Sequence, residues 1–301
     1  MIEPDISGKA DINRIREHIR ALEGVRHPLA APAALNGAAD YIAGCLAAHC
    51  YEVKEHHFPD NGRLFRNVIA TRRGCGCQDE RVIVMAHYDT VSGTPGADDN
   101  ASGVAVMLET AALLAQFRFE RTIHFIGVSL EENANEDEHG TGTRGSRALA
   151  AHARENGWRI AGVVVLESVA YAGDEVVQTV PAGVPVPVPD RGNFIAVLGN
   201  ERSKELVNGF SRAAAQLGGA LPQVSLTMPG NGESLPDCRR SDHAPFWDAG
   251  YEAIMVTDTT NFRNPHYHRS SDTLETLNLD FATRVCRATA GLLLDLARIL
   301  V

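Results

Sequence analysis

Runs such as Val82-Ile83-Val84-Met85-Ala86 and Val163-Val164-Val165-Leu166 most constrain what this 301-residue chain can fold into. A strand with one wet face alternates apolar and polar residues. A continuous apolar run, rich in β-branched residues, belongs instead in a sheet covered on both faces. Strand-like segments read over 66–71, 82–86, 122–130, 161–166, 194–198 and 253–257. Between them, helical spacing reads over 10–22, 32–49, 103–117, 204–217 and 281–300. Pro32 suits a first helical position, where its missing N–H costs nothing, and Asp280 reads as the N-cap of the last helix. Strands and helices taking turns predict an α/β fold, a three-layer sandwich with a largely parallel central sheet. No linker divides the alternation, so residues 1–301 read as a single domain, with residues 1–31 as an N-terminal helical extension. The segment 181–189, PAGVPVPVP, cannot be a central strand because proline has no N–H for the ladder. It reads as a stiff extended loop, either functional or a surface excursion.

Composition narrows the partners. Twenty-eight Lys and Arg against 38 Asp and Glu leave a net charge of −10, a field that repels phosphate backbones and anionic lipid. This argues against nucleic acid and membrane surfaces, and no apolar run approaches the ~18 residues of a membrane span. The start, MIEPDISGKADINRIREH, is charged and lacks an apolar leader core. A cytoplasmic location is therefore expected, with secretion as the alternative for a chain whose leader has been removed. Cys75-Gly-Cys77 is too tight for the usual zinc pair and has no second pair to complete it, so the six cysteines read as unpaired thiols.

Open α/β sheets bind ligands beyond the carboxyl ends of their strands. The segment 82–86 is followed by His87-Tyr88-Asp89, then by Gly96-Ala97-Asp98-Asp99-Asn100-Ala101-Ser102-Gly103. The segment 122–130 is followed by Glu131-Glu132, 161–166 by Glu167, and 253–257 by a loop carrying His266-Tyr267-His268. A capping turn needs one short polar side chain, whereas Asp98-Asp99-Asn100 supplies three. Four strand ends offering imidazole or carboxylate together point to a metal centre. Two imidazoles with three carboxylates and no thiolate suit Zn2+, with Mn2+ or Co2+ as alternatives. Five ligands exceed the three of a catalytic zinc with an open position, and fit two ions sharing one carboxylate.

These residues carry a resemblance. HYDTVSGTPGADDNASG, SLEEN…RGS, VVLESVAY, RRSDHAPF and NPHYHRSSDTLETLN occur in the order found in the co-catalytic zinc aminopeptidase family. That family contains bacterial leucine-type aminopeptidases and is related to the glutaminyl cyclases. The resemblance spans roughly 32–300 and implies a zinc-exopeptidase fold. It implies His87, Asp99, Glu132, Glu167 and His268 as ligands of two zinc ions, with Asp99 bridging; His266 is the rival of His268. Glu131 resembles the general base, Tyr267 a donor to the developing oxyanion, and Asp89 the carboxylate that orients the His87 ring. Arg240 is expected near the substrate, and Asp242 and His243 in a buried supporting network.

The implied activity is release of the N-terminal residue of a peptide by a metal-bridged hydroxide, with the free amino end drawn to a slightly negative pocket. The rivals are a glutaminyl cyclase, a di-zinc deacylase or carboxypeptidase, and a binding module that kept the fold without its metals. The segment 133–144 is longer and more acidic than the family's; Glu136, Asp137, Glu138 and His139 read as a solvated loop, or as a rim favouring basic substrates or a surface cation.

Overall fold

The computed structural model describes residues 10–133 and 140–300; the acidic stretch Glu136 to His139 lies outside them. The chain opens with helices α1 (Ile12–Leu22) and α2 (Pro32–Ala48), then a hairpin of β1 (Glu52–Asp60) and β2 (Arg63–Arg72). Strand β3 (Glu80–His87) leads through the 97–102 turn into α3 (Gly103–Leu114). The short β4 (Arg118–Phe119) precedes β5 (Thr122–Val128), α4 (Arg144–Glu155) and β6 (Arg159–Glu167). Then come β7 (Ile195–Asn200), α5 (Lys204–Ala215), β8 (Gln223–Met228), α6 (His243–Asp248), β9 (Ala253–Thr257), α7 (Leu279–Leu296) and β10 (Ile299–Leu300).

One eight-stranded sheet, ordered β1-β2-β5-β3-β6-β9-β7-β8, runs through the chain. The pairs β5–β3, β3–β6, β6–β9 and β7–β8 are parallel; the other three are antiparallel. The sheet is thus mixed but mostly parallel. Alternate residues of its central strands feed two cores. Val82, Val84, Phe125, Val164, Leu166 and Val256 pack under α1, α2, α3, α5 and α7. Ile83, Met85, Ile126, Val163 and Val165 pack under α4 and α6, with Phe246 and Trp247. This explains the continuous apolar runs: both faces of these strands are dry.

Six elements escape the sequence pattern. The two-residue strands β4 and β10 pair with each other, β10 lying where the last helix is expected to run on to 300. Strand β1 is an edge strand with a mostly exposed, polar sequence, and β8 at the opposite edge is only partly buried. Helix α4 starts at left-handed Thr143 with no side-chain cap, and α6 has only six residues. The N-cap of α7 is Asn278, whose side chain accepts from Phe281 N at 3.0 Å. Asp280 sits one residue inside the helix, because the chain turns helical two residues earlier than the apolar spacing suggests.

The described part of the N-terminal segment is built into the core. Ile15 and Ile19 of α1 are fully buried. Arg14 reaches across to the buried Glu109 of α3 with two hydrogen bonds of 2.7 Å, and Asp11 N–H adds a third at 2.8 Å. A buried carboxylate needs such satisfaction, so α1 is locked onto α3.

Candidate metal centre

The strands β3, β5, β6 and β9 run parallel, so their carboxyl ends share one edge of the sheet. His87 is the last residue of β3 and Glu167 the last of β6; Glu131 and Glu132 follow β5, and His268 follows β9. The order reverses at β3, with β5 on one side and β6 on the other. A crevice therefore opens where successive crossovers leave in opposite directions.

Two triads of possible ligands meet there, His87–Asp99–Glu167 and Asp99–Glu132–His268. Asp99 is common to both, and its two oxygens divide between them. Oδ1 lies 3.2 Å from His87 Nε2, and Oδ2 lies 3.3 Å from His268 Nε2. His87 Nε2 is 3.4 Å from Glu167 Oε1, and His268 Nε2 is 3.4 Å from Glu132 Oε2. Tetrahedral metal–ligand bonds of about 2.0–2.2 Å place neighbouring ligand atoms about 3.3–3.6 Å apart, so the spacing suits ions. Asp99 Oδ1, Glu132 Oε1 and His268 Nε2 are buried without a hydrogen-bond partner. Orphaned acceptors of this kind are costly unless something binds them, and the donor set fits a divalent metal.

Electrostatics says the same. Burial opposes charge on both imidazoles, yet Glu167, Asp89 and Asp99 carry His87 well above its ordinary value. Asp99 and Glu132 likewise outweigh burial and carry His268 to about 10. Burial would raise Asp99, but the neighbouring His268 and His87 imidazoles hold it below the usual carboxylate range. Burial lifts Glu131 well up against the pull of His87, and lifts Glu132 to about 7 with help from Asp99. Without a metal, the cluster must borrow protons to offset its carboxylates.

The supporting residues are specific. Asp272 accepts the backbone N–H groups of Asp98 and Asp99 at 2.9 and 3.2 Å. Asn100 donates to Leu166 O at 2.8 Å and accepts from Gly103 N and Ser168 N, tying this loop to the end of β6. Asp98 turns away from both triads and accepts from Ala170 N and Asn264 Nδ2. Leu130, Ser168 and His268 have positive φ, a conformation that non-glycine residues adopt chiefly where surrounding structure imposes it.

Asp89 departs from the expectation. The His87 ring bonds through Nδ1 to the main-chain carbonyl of Asp89 at 3.2 Å, while the Asp89 carboxylate is 3.5 Å away. That carboxylate instead accepts the N–H groups of Glu131 and Glu132, at 3.1 and 3.2 Å. It thus positions two acidic residues from another strand. His266 lies outside both triads and pairs with Ser271 Oγ at 2.9 Å. Tyr267 stacks on the His268 ring at 3.8 Å, and Arg240 donates to its hydroxyl at 3.2 Å and to Asn261 at 3.0 Å. Asp242 and His243 are fully buried. His243 Nε2 bonds Cys238 O, and burial raises Asp242 to about 7.

Three contributors, Ser241, Asn67 and Arg26, are given no role by the sequence pattern. Ser241 donates to Glu167 Oε2 at 2.6 Å, fixing the oxygen that does not face His87. Asn67 accepts from Ser129 N and donates to Gly145 O, holding the turn before Glu131 against α4. A Cβ on Gly145 would lie 2.0 Å from Ser129 O, so only glycine permits that approach. Arg26 is buried behind the 88–96 loop and donates to the carbonyls of Leu22, Gly24, Tyr88, Pro95 and Gly96. Burial lowers its pKa to about 10, with Asp89 and Asp99 pulling the other way. Gly96, at φ +62, turns beneath it; a Cβ there would be 2.4 Å from Asp99 O.

Beside the ligands opens a cleft lined by Asp99, Glu131, Glu167, Ser241 and Tyr267 at one end and by apolar side chains beyond. A sheet edge carrying paired ligand triads, a buried carboxyl outside them and an adjoining cleft is the construction of a metal-dependent hydrolase. Residues 67–293 match the family described as Peptidase family M28, and the chain belongs to that peptidase family. The "Uncharacterized protein YfbL" of Escherichia coli K12 is 30% identical over 310 residues, covering 96% of this chain and 90% of that protein. A "Probable zinc metalloprotease" of Pyricularia oryzae is 27% identical over 263 residues, covering 77% of this chain; the match spans 49% of that longer protein. The Legionella pneumophila LapA aminopeptidase structure superposes with a TM-score of 0.74 at 19% identity, over 97% of this chain and 73% of that one, which establishes the shared fold.

Proposed function

We propose that the chain is a zinc aminopeptidase that releases the N-terminal residue of peptides, with two ions held by the two triads. The observation that carries this reading is the Asp99 carboxylate, whose oxygens face different histidines at 3.2 and 3.3 Å. The fungal relative's description as a probable zinc metalloprotease and the LapA structure's title as an aminopeptidase agree with it. Bound there, the ions would lower the pKa of a water and polarise the scissile carbonyl.

The chain's own residues do the rest. Glu131 belongs to neither triad and lines the cleft, so its carboxylate is available to take a proton from the attacking water and return it to the leaving nitrogen. The Tyr267 hydroxyl, fixed by the His268 ring and Arg240, donates to the carbonyl oxygen as charge develops there. Ser241 keeps Glu167 oriented, and Asp89 keeps Glu131 and Glu132 oriented. The acidic end of the cleft attracts the substrate ammonium, and the apolar remainder takes the adjoining side chain.

Aminoacyl-p-nitroanilides test this. Hydrolysis is expected, lost on chelation, restored by zinc, and absent for N-acetylated analogues. Cleavage of acetylated substrates alone would mark a deacylase or carboxypeptidase. Ring closure of N-terminal glutamine peptides without loss of a residue would mark a cyclase.

A further inference from the structure

The segment 181–189 forms the roof of the cleft, and its alternation has a geometric consequence. Val184, Val186 and Val188 line the cleft, whereas Pro185, Pro187 and Pro189 do not. In an extended chain successive side chains point to opposite sides, so the valines face inward and the prolines outward. Opposite lie Ala196 and Leu198 of β7, Val224 and Leu226 of β8, and Met255 of β9, side chains of one sheet face. The segment lies over an apolar sheet face, where it meets side chains and is out of the plane in which strands hydrogen-bond. Its alternate prolines lack the N–H that strand pairing needs, and among the described residues no backbone–backbone hydrogen bond involves 180–189.

The strap is pinched shut at its base, where Val177 bridges Arg191 and Gln178 N–H bonds Asp190 O at 2.9 Å. Thr179 N–H donates to Phe262 O at 2.8 Å. Its valines Val184 and Val186 rest on Leu226, Met228, Leu235 and Cys238. The whole cleft, its metal-side end included, has a volume of about 110 Å³ and is partly open to solvent, the scale of a cavity that holds a benzene ring (about 150 Å³).

We propose that this proline–valine strap is the specificity-determining wall of the cleft: its valines set the largest apolar side chain admitted beside the metal centre, and its prolines hold that limit. The proposal rests on the aminopeptidase reading for the identity of the occupant, the side chain of the substrate's first residue. Leucine and phenylalanine fill the space, alanine leaves it empty, and a naphthyl group exceeds it.

The test compares alanyl-, leucyl-, phenylalanyl- and 2-naphthylalanyl-p-nitroanilides across variants with unchanged zinc content. Val186→Trp is expected to lower kcat/KM for leucyl and phenylalanyl substrates about 100-fold relative to alanyl, and Val184→Ala with Val186→Ala to raise the naphthylalanyl-to-leucyl ratio about tenfold. Pro185→Ala with Pro187→Ala is expected to flatten the size preference while sparing the alanyl rate. Calorimetric titration with L-alaninol, L-leucinol and L-phenylalaninol, which have no scissile bond, reads the same wall without turnover. Loss of leucinol preference in Val186→Trp supports the strap even if no anilide is cleaved, an outcome that would sink the aminopeptidase reading alone. Unchanged size preferences in every strap variant, in turnover or in binding, would overturn the proposal.

Discussion

Replacing Glu131 by glutamine is expected to lower kcat about a thousandfold, with zinc content intact and KM nearly unchanged. The size follows from the 10²–10⁴-fold that a positioned general base typically contributes. The pattern follows from the geometry. Glu131 is outside both ligand triads, so its loss leaves each intact. Its backbone N–H is held by Asp89, a bond that glutamine keeps, so the replacement stays in place. A change confined to kcat is the signature of a group that acts only in the transition state. Glu132→Gln is the contrast, since Glu132 is a member of a triad and its loss is expected to reduce bound metal. Parallel kcat, KM and zinc measurements on both variants check the assignment. A Glu131→Gln enzyme within tenfold of the parent would move the proton transfer elsewhere.

Removing the metal is expected to lower the melting temperature by roughly 10 °C near neutral pH. An ion at a thousandfold its dissociation constant stabilises by about 4 kcal/mol, and a chain of this size shifts a few degrees per kcal/mol. The drop should widen as pH rises from about 5 to about 8, for reasons of one sign. In the metal-free protein, Glu132 is raised to about 7 from an ordinary 4.5 by burial and Asp99. The folded state then keeps a proton that the unfolded chain has released, so stability falls as pH rises between those values. His268 is raised to about 10 from 6.5 by Asp99 and Glu132 against burial. Its contribution is complete below 6.5 and is lost as pH rises through 10. Metal binding runs the opposite way, because the ligands must shed those protons. Melting scans with and without chelator across this range check the slope; a gap that narrows with rising pH would contradict the cluster's electrostatics.

Much of this was legible in the sequence because local pattern and global position coincide at the sheet's carboxyl edge. Val82 to Ala86 and Val163 to Leu166 are apolar on both faces, so their ends are visible, and His87 and Glu167 stand at those ends. The polar edge strand β1 and the six-residue α6 have no such pattern. The unread part of the site consists of contacts between distant residues. Ser241 meets Glu167 from 74 residues away, and Arg26 meets Gly96 from 70. Asp89 reaches the N–H groups of Glu131 and Glu132 from 42 and 43 residues away. The family resemblance implied a role for Asp89 toward its neighbour His87; the fold adds that its main-chain carbonyl also meets the imidazole and that its carboxylate accepts two further N–H groups.

Anomalous scattering at the zinc edge from crystals of the zinc-loaded protein tests the central claim most directly. The account predicts two peaks per chain about 3.5–4 Å apart, one beside His87 and Glu167, the other beside Glu132 and His268, with Asp99 between them. A single peak, or two peaks that do not share Asp99, would contradict it.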